Sequence, residues 1–322
     1  MPNAIQIDRP GLPDVLEYRS VELPALRSSE VRVKTEYAAV NYIELHIRAG
    51  NAPILAPSPF PYTPGMEVVG LIDDVGAEAG KWKRGQRVIT MMQGLAGVRA
   101  ERDGGYADFV TVDGATLAAV PDGVNAAEMA ALGLAAVTAF EGLRTIGELS
   151  GKRVVVTGAA GGVGSMATTI ANASGATVVA IIRRPEDTEY VRSLGASEVI
   201  LSDGHLEPQS VDGVLDTVAG NLFGTCVTAL KPHGTLCLVG AVGGGNVSLD
   251  AWELLRPLTI TGYSTEALDG EILQTAVNAL TGMLKGQAIR PPEYIVLPLK
   301  DAARAHQLLE NGEVRGRVLL QP

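Results

Sequence analysis

Residues 154–164 read Val-Val-Val-Thr-Gly-Ala-Ala-Gly-Gly-Val-Gly, and this stretch restricts the fold of the 322-residue chain more than any other. A β-branched run feeds a glycine-rich turn, and a helix-like segment follows from Val163 to Ser174. In that strand–turn–helix context a glycine fingerprint marks a dinucleotide pyrophosphate site. Glycine lets the backbone turn tightly and approach phosphate closely, and the helix N-terminus offers unpaired N–H donors and a positive dipole end. The first glycine of the usual pattern is Ala159, so the fingerprint runs Ala159, Ala160, Gly161, Gly162, Val163, Gly164. A second strand, Thr177–Ile182, follows at the right distance.

The end of that second strand indicates the cofactor. An acid about 20 residues past the fingerprint holds the ribose 2′-hydroxyl of NAD. Here Arg183 and Arg184 stand at the strand end. A guanidinium fork grips a 2′-phosphate, which a carboxylate would repel, so the sequence favours NADPH over NADH. The plainer reading, two solvated charges at a strand end, stays open, more so for Arg184.

Strands and helices alternate from Gly151 to Thr261, which predicts a doubly wound parallel sheet of α/β class. The first hundred-odd residues instead show short alternating stretches (30–37, 67–73, 86–91, 106–112) punctuated by Gly and Pro, the pattern of a small irregular β-barrel. Residues 125–134 and 136–144 read as helical, and the tail after Thr261 is expected to return to the first domain. The predicted division is 1–122, 123–264 and 265–322.

Hydrophobic residues make up 46% of the chain and aromatics 4%, so Ala, Val, Leu and Gly must build the core. A net charge of −10 argues against nucleic acid or an anionic membrane as partner. The N-terminus carries no basic, apolar leader, and no uninterrupted apolar stretch reads as a membrane span. Cys226 and Cys237 are the only cysteines, which fits a reducing cytoplasm without a disulfide framework.

Several further segments resemble the medium-chain dehydrogenase/reductase superfamily. Asn41-Tyr42-Ile43-Glu44-Leu45-His46-Ile47-Arg48-Ala49-Gly50 is similar to its Asn-x-x-Asp-x-x-x-Arg-x-Gly segment, and Pro64-Gly65-Met66-Glu67 to its Pro-Gly-x-Glu turn. Gly104–Asp108, Val137–Phe140, Gly195-Ala196, Val211–Asp216 and Arg315–Leu320 also match. The likeness spans essentially the whole chain and is strongest to the zinc-free, NADPH-using quinone oxidoreductase branch. It implies a Rossmann-type doubly wound sheet joined to a GroES-like irregular β-barrel catalytic domain.

The resemblance also bears on metal. The zinc alcohol dehydrogenases of this superfamily place Cys where Asn41 stands and His where Met66 stands, and neither replacement is a plausible catalytic zinc ligand. No Cys occurs between residues 90 and 105, where their structural zinc lobe lies. His46 and Glu67 remain as possible ligands, too few for a closed site, so no metal is expected. Without a Lewis acid, hydride delivery to an electron-poor acceptor is easier than alcohol oxidation. The expected substrate is therefore a small hydrophobic quinone or enone.

The resemblance places Asn41 and its neighbour Tyr42 beside the nicotinamide, with Asn41 as a donor that orients acceptor or cofactor; a turn or capping asparagine is the alternative. His46, where several relatives carry Tyr, is a candidate proton or hydrogen-bond donor to a developing enolate. Thr138 and the backbone of Gly240, Ala241 and Val242 are expected near the nicotinamide end. Arg317 matches a basic residue near the cofactor in relatives, with a surface pair to Glu313 equally open. His205, His233 and His306 are read as peripheral. The apolar segment 51–62 (Ile54, Leu55, Phe60, Tyr62) and the segment 91–105, with Arg99 and Arg102, are expected to shape the pocket. Two other functions stay open: a pathway-specific enoyl reductase and a non-catalytic NADPH-binding sensor. Relatives dimerise by joining sheet edges, so the strand near Leu258–Thr261 is expected to make a homodimer.

Overall fold

The computed structural model describes residues 1–52, 60–97, 99–100 and 102–322. Its helices are α1 (Tyr42–Ala49), α2 (Ala126–Ile146), α3 (Gly162–Ala173), α4 (Thr188–Ser193), α5 (Leu222–Ala229), α6 (Gly270–Lys285) and α7 (Ala302–Glu310). The chain forms two compact units. One comprises Met1–Leu134, Thr265–Thr281 and Glu293–Pro322, the other Ala135–Ser264 and Gly282–Pro292.

The first unit is built on a curled, mainly antiparallel sheet. Its axis is the strand Glu30–Ala39, which pairs along one edge with Glu67–Val75. The other edge is shared: Phe109–Asp113 pairs with residues 30–34, and Arg317–Gln321 with Ala38 and Ala39. Register shifts at Arg32/Val33 and Thr35/Tyr37 bend the strand and let one edge serve two partners. Val31, Val33, Val68, Ile72, Val88, Ile89, Val110 and Val318 fill the interior. The tail strand therefore completes the first unit's sheet.

The first unit runs on to Leu134, past the expected limit at residue 122. The cause is Gly133, whose dihedrals (φ 37°, ψ −141°) divide α2 into two helices. The first of these stays with the β unit. Residues 282–292, expected in the C-terminal return, group with the second unit. By length and composition alone α2 passes for a membrane span, but Glu128 and Glu141 interrupt its apolar run and 89% of its most apolar window is buried inside the protein.

In the second unit six strands form a parallel sheet, in the order Ala196–Leu201, Thr177–Ile182, Arg153–Thr157, Val211–Asp216, Leu230–Leu238, Thr259–Gly262. Val154, Val155, Val156, Val178, Val179 and Val214 are fully buried, as strands covered on both faces must be. From Arg153–Thr157 the chain winds outward through two strands, then returns to Val211–Asp216 on the other side. The strand order reverses between these two neighbours, and ligands of such sheets bind beyond the carboxyl ends at that reversal.

Candidate active site

In the first unit α1 is the element that organises the polar centre. Asn41, in extended conformation (φ −114°, ψ 148°), is its N-cap, and the Glu44 carboxylate accepts the Asn41 N–H at 3.0 Å. Gly50 closes the helix in the left-handed region at φ 77°. Asn-x-x-Glu is a capping-box pattern, so the motif segment is helical for a local reason.

Asn41 is 8% exposed, and its amide is engaged inside the protein. Its Nδ2 donates to Glu67 Oε1 at 2.9 Å and lies 3.3 Å from the Ala39 carbonyl; its Oδ1 accepts from Arg317 Nη1 at 3.1 Å. The expected donor to an acceptor or cofactor is thus a residue whose amide hydrogens both have protein partners. For Arg317 the surface pair with Glu313 is replaced by a buried one. It is 5% exposed and pairs with Glu67, whereas Glu313 lies against Arg304 and Asn311. Glu67 accepts the Leu134 N–H at 2.6 Å through its other oxygen, so Arg317, Asn41 and the start of the second half of α2 hold this buried carboxylate.

A second carboxylate, Glu44, has no ion-pair partner among the described residues. Its donors are the N–H groups of Asn41 and Met66 (3.0 and 2.7 Å) and the Tyr106 hydroxyl (2.5 Å). Burial dominates, and although these donors oppose it the carboxyl is raised to about 7, with nearby Glu67 adding to the shift. Tyr106 lies 3.2 Å from His306 Nε2, and Arg48 Nη1 lies 3.4 Å from His306 Nδ1. Arg48 has only N–H donors, so Nδ1 accepts and Nε2 carries the proton. The contacts form one directed chain, Arg48 to His306 to Tyr106 to Glu44. His306 is fully buried, and burial, with the Arg48 charge, lowers its pKa to about 3, so the imidazole is neutral. The sequence reading that made His306 peripheral is overturned: its helix, α7, faces the interior here.

Tyr42 and His46, one turn apart on α1, meet edge to face at 5.0 Å, with Tyr42 46% exposed and His46 half-buried. These are the polar groups of α1 not absorbed by the buried centre. Phe60 meets the buried Tyr62 edge to face at 5.5 Å. Ile54 and Leu55 lie outside the described residues. Arg99 is 3.9 Å from Glu266, and Arg102 donates to the Gln93 carbonyl. Among the described residues no group of three or more His, Cys, Asp or Glu is placed to hold a metal ion.

In the second unit the fingerprint forms a tight turn at the sheet's reversal point. Gly158 takes φ 59°, its carbonyl accepts the Gly161 N–H at 2.9 Å, and Gly161 is the N-cap of α3. Gly161 offers no side chain to the first-turn N–H groups of α3, which stay available to an anion. A Cβ at Gly164 would come 2.2 Å from the Gly158 carbonyl oxygen, so the helix seats against the turn only with glycine there. Ala159 is fully buried, and its N–H donates to Ile181 at 3.0 Å, fastening the turn to the next strand; Ala160, Gly162 and Val163 are half-buried. Asp216 braces the other side, accepting from the Thr157 hydroxyl at 2.6 Å and from the N–H groups of Val218 and Ala219 at 2.9 and 3.0 Å. Gly240, after the strand Leu230–Leu238, lies beside Thr217, with Ala241 and Val242 exposed beyond it. Thr138, on α2, is 8% exposed. Of the two arginines, Arg184 is paired with Asp187 and Arg183 is exposed.

The family model of the alcohol dehydrogenase GroES-like domain matches residues 27–122, and that of the zinc-binding dehydrogenase matches residues 162–281. Quinone oxidoreductase of Mus musculus is 29% identical over 98% of this chain and 97% of its own length. The chain belongs to the medium-chain dehydrogenase/reductase superfamily, in its quinone oxidoreductase-like branch. Acrylyl-CoA reductase of Ruegeria pomeroyi is 28% identical over 94% of this chain and 93% of its own length. The crystal structure of Escherichia coli quinone oxidoreductase complexed with NADPH superposes with a TM-score of 0.87 at 25% identity, covering 99% of this chain and 100% of that one.

In this quinone oxidoreductase-like chain the GroES-like unit holds the buried polar centre and the Rossmann-type unit holds the phosphate turn. In the sequence Arg48 and Tyr106 stand within family motifs that mark no role for them, and Glu67 reads there as a metal ligand. Glu44 was detectable from its capping-box spacing. The break in α2 falls at Gly133, two residues before the gap that the sequence leaves between the helical segments 125–134 and 136–144.

Proposed function

We propose that this protein is an NADPH-dependent, zinc-independent reductase that transfers hydride to a quinone or to the C=C bond of an α,β-unsaturated carbonyl. The observation that carries the reading is the uncapped, glycine-lined helix start of α3 fastened to a strand that ends in an exposed arginine. Such a turn suits a pyrophosphate, and an arginine suits a 2′-phosphate. Bound NADPH supplies the hydride. Residues 159–164 hold the pyrophosphate, and Thr138, Gly240, Ala241 and Val242 border the nicotinamide.

Zinc independence is supported by the donor set. Asn41 and Met66 are not zinc ligands, and both oxygens of Glu67 already accept from Arg317, Asn41 and Leu134. With no Lewis acid, the charge that develops on the acceptor oxygen needs protein hydrogen-bond donors. Tyr42 and His46 are the groups on α1 proposed for this, His46 also as proton donor, while Asn41 holds the start of the helix. The test is anaerobic NADPH and NADH oxidation by metal-stripped protein against quinones, enones, enals and short enoyl thioesters. Turnover with NADPH that survives metal removal supports the reading; activity restored only by zinc removes it.

A narrower substrate, one enoyl thioester of a single pathway, is the second reading, favoured by the likeness to acrylyl-CoA reductase. For assembly we propose a homodimer through the edge strand Thr259–Gly262. Trp252 (77% exposed), Leu255 (74%) and Ile260 lie on or near that edge in sequence. A monomeric mass in sedimentation at micromolar concentration rejects it.

A further inference from the structure

Helix α1 carries two sets of polar side chains on opposite faces. At the helical repeat, Glu44 and Arg48 lie one turn apart on one face, and Tyr42 and His46 lie one turn apart on the other. Burial follows this division. Glu44 and Arg48 are 1% and 2% exposed, whereas Tyr42 is exposed and His46 half-buried. A helix of 8 residues is too short to hold its own position, so the contacts of its buried face decide where the outer face stands.

One side chain reaches both ends of that buried face. His306 Nδ1 accepts from Arg48, in the last turn of α1, at 3.4 Å. Its Nε2 lies 3.2 Å from the Tyr106 hydroxyl, which donates to Glu44, in the first turn, at 2.5 Å. The Tyr106 ring also meets the imidazole edge to face at 5.8 Å. Arg48 is held further by Glu310, one turn along α7 from His306, and by the Gly11 carbonyl at 3.1 Å. His306 and Tyr106 are fully buried. Apolar contacts between α1 and α7 would join the helices without fixing a rotation, because hydrophobic attraction has no direction; hydrogen bonds set direction as well as distance. A buried imidazole, phenol and guanidinium cost more to desolvate than apolar residues would, and what they add in exchange is orientation.

We propose that His306 is a positioning residue for the reduction: by tying the first and last turns of α1 to one imidazole, it fixes the rotation at which Tyr42 and His46 face the acceptor. This assignment rests on the proposed role of Tyr42 and His46 as the groups that stabilise the acceptor oxygen. His306 is buried beneath the helix and acts only through it.

The test compares His306→Phe with His306→Gln, by turnover, by NADPH affinity and by the imidazole NMR signal of His46. Glutamine keeps one acceptor and one donor; phenylalanine keeps neither. His306→Phe is expected to lower kcat about tenfold or more, as a displaced catalytic group does, with NADPH affinity unchanged because the phosphate turn lies in the other unit. His306→Gln retains kcat within about threefold. In a Tyr42→Phe/His46→Asn background His306→Phe costs less than about twofold more, since the groups it positions are already gone. The His46 signal, which senses the neighbouring Tyr42 ring, moves in His306→Phe and stays in place in His306→Gln. Should His306→Phe not fold, Tyr106→Phe removes a single hydroxyl of the same tie and must move the His46 signal too. The proposal is overturned if the losses multiply in the two backgrounds, if His306→Gln is as impaired as His306→Phe, or if the His46 signal does not move. Unchanged kcat in Tyr42→Phe/His46→Asn alone instead defeats the role given to those two groups, and the His46 signal still shows whether His306 sets the helix.

Discussion

The Glu67 carboxylate occupies the space that a side chain at Gly133 would need: a Cβ there would come within 1.9 Å of Glu67 Oε2. The break in α2 and the buried acid are therefore one feature. Gly133 is also in the left-handed region, which disfavours any other residue. Gly133→Ala is expected to lower the thermal midpoint by several degrees and to disturb the Glu67–Arg317 pair. Thermal unfolding followed by circular dichroism checks this, and an unchanged midpoint contradicts it.

Arg317→Met leaves Glu67 buried without its cation, a loss of roughly 3–5 kcal/mol for a pair of this kind. The double variant Arg317→Met/Glu67→Gln regains much of the loss, because no uncompensated charge remains. Urea unfolding of the wild type, both single variants and the double variant gives the coupling energy. Additive losses would show that the pair is not coupled.

Glu44 links stability to pH. Its folded-state pKa is raised to about 7 from an ordinary 4.5, so folding favours the protonated form. The stability it contributes is fully present below about 4.5 and is lost as pH rises through about 7. Glu44→Gln does not titrate, so its stability relative to wild type should improve between pH 5 and pH 8. Denaturant midpoints at the two pH values measure the change; a constant difference refutes it.

His306 has the opposite sign. Its pKa falls to about 3 from 6.5, so the stability it contributes is present above 6.5 and is lost as pH falls through about 3. His306→Phe should flatten the loss of thermal midpoint from pH 7 to pH 4. It should also be less stable at pH 7 by about 1–3 kcal/mol, since Tyr106 and Arg48 lose a buried partner. An acid limb as steep as the wild type's would count against the neutral, buried imidazole.

The phosphate turn was legible because its physics is local. Gly158, Gly161 and Gly164 meet the demands of one turn within a few residues, and the strands that flank the turn are short apolar runs of their own, as in Val154-Val155-Val156. The buried centre was not legible, because its members come from distant parts of the chain. Arg48 and His306 are 258 residues apart, and Tyr106 and His306 are 200 apart. A polar residue on a helix such as α7 reads as solvent-facing until the facing surface is known. Arg317 illustrates the same limit: its motif was visible, but only the pairing of its strand with Ala38 and Ala39 turns it toward Glu67.

The shared edge of Glu30–Ala39 sets an order for folding during synthesis. Its second occupant, Arg317–Gln321, is synthesised after every other described strand, whereas residues 135–264 emerge earlier and hold all six strands of their own sheet. The parallel sheet is thus free to form on the nascent chain while the N-terminal unit waits, its edge open and Glu67 without its counter-charge. A C-terminal truncation of a few residues would leave that state permanent, and an unsealed strand edge of this kind invites pairing with other chains.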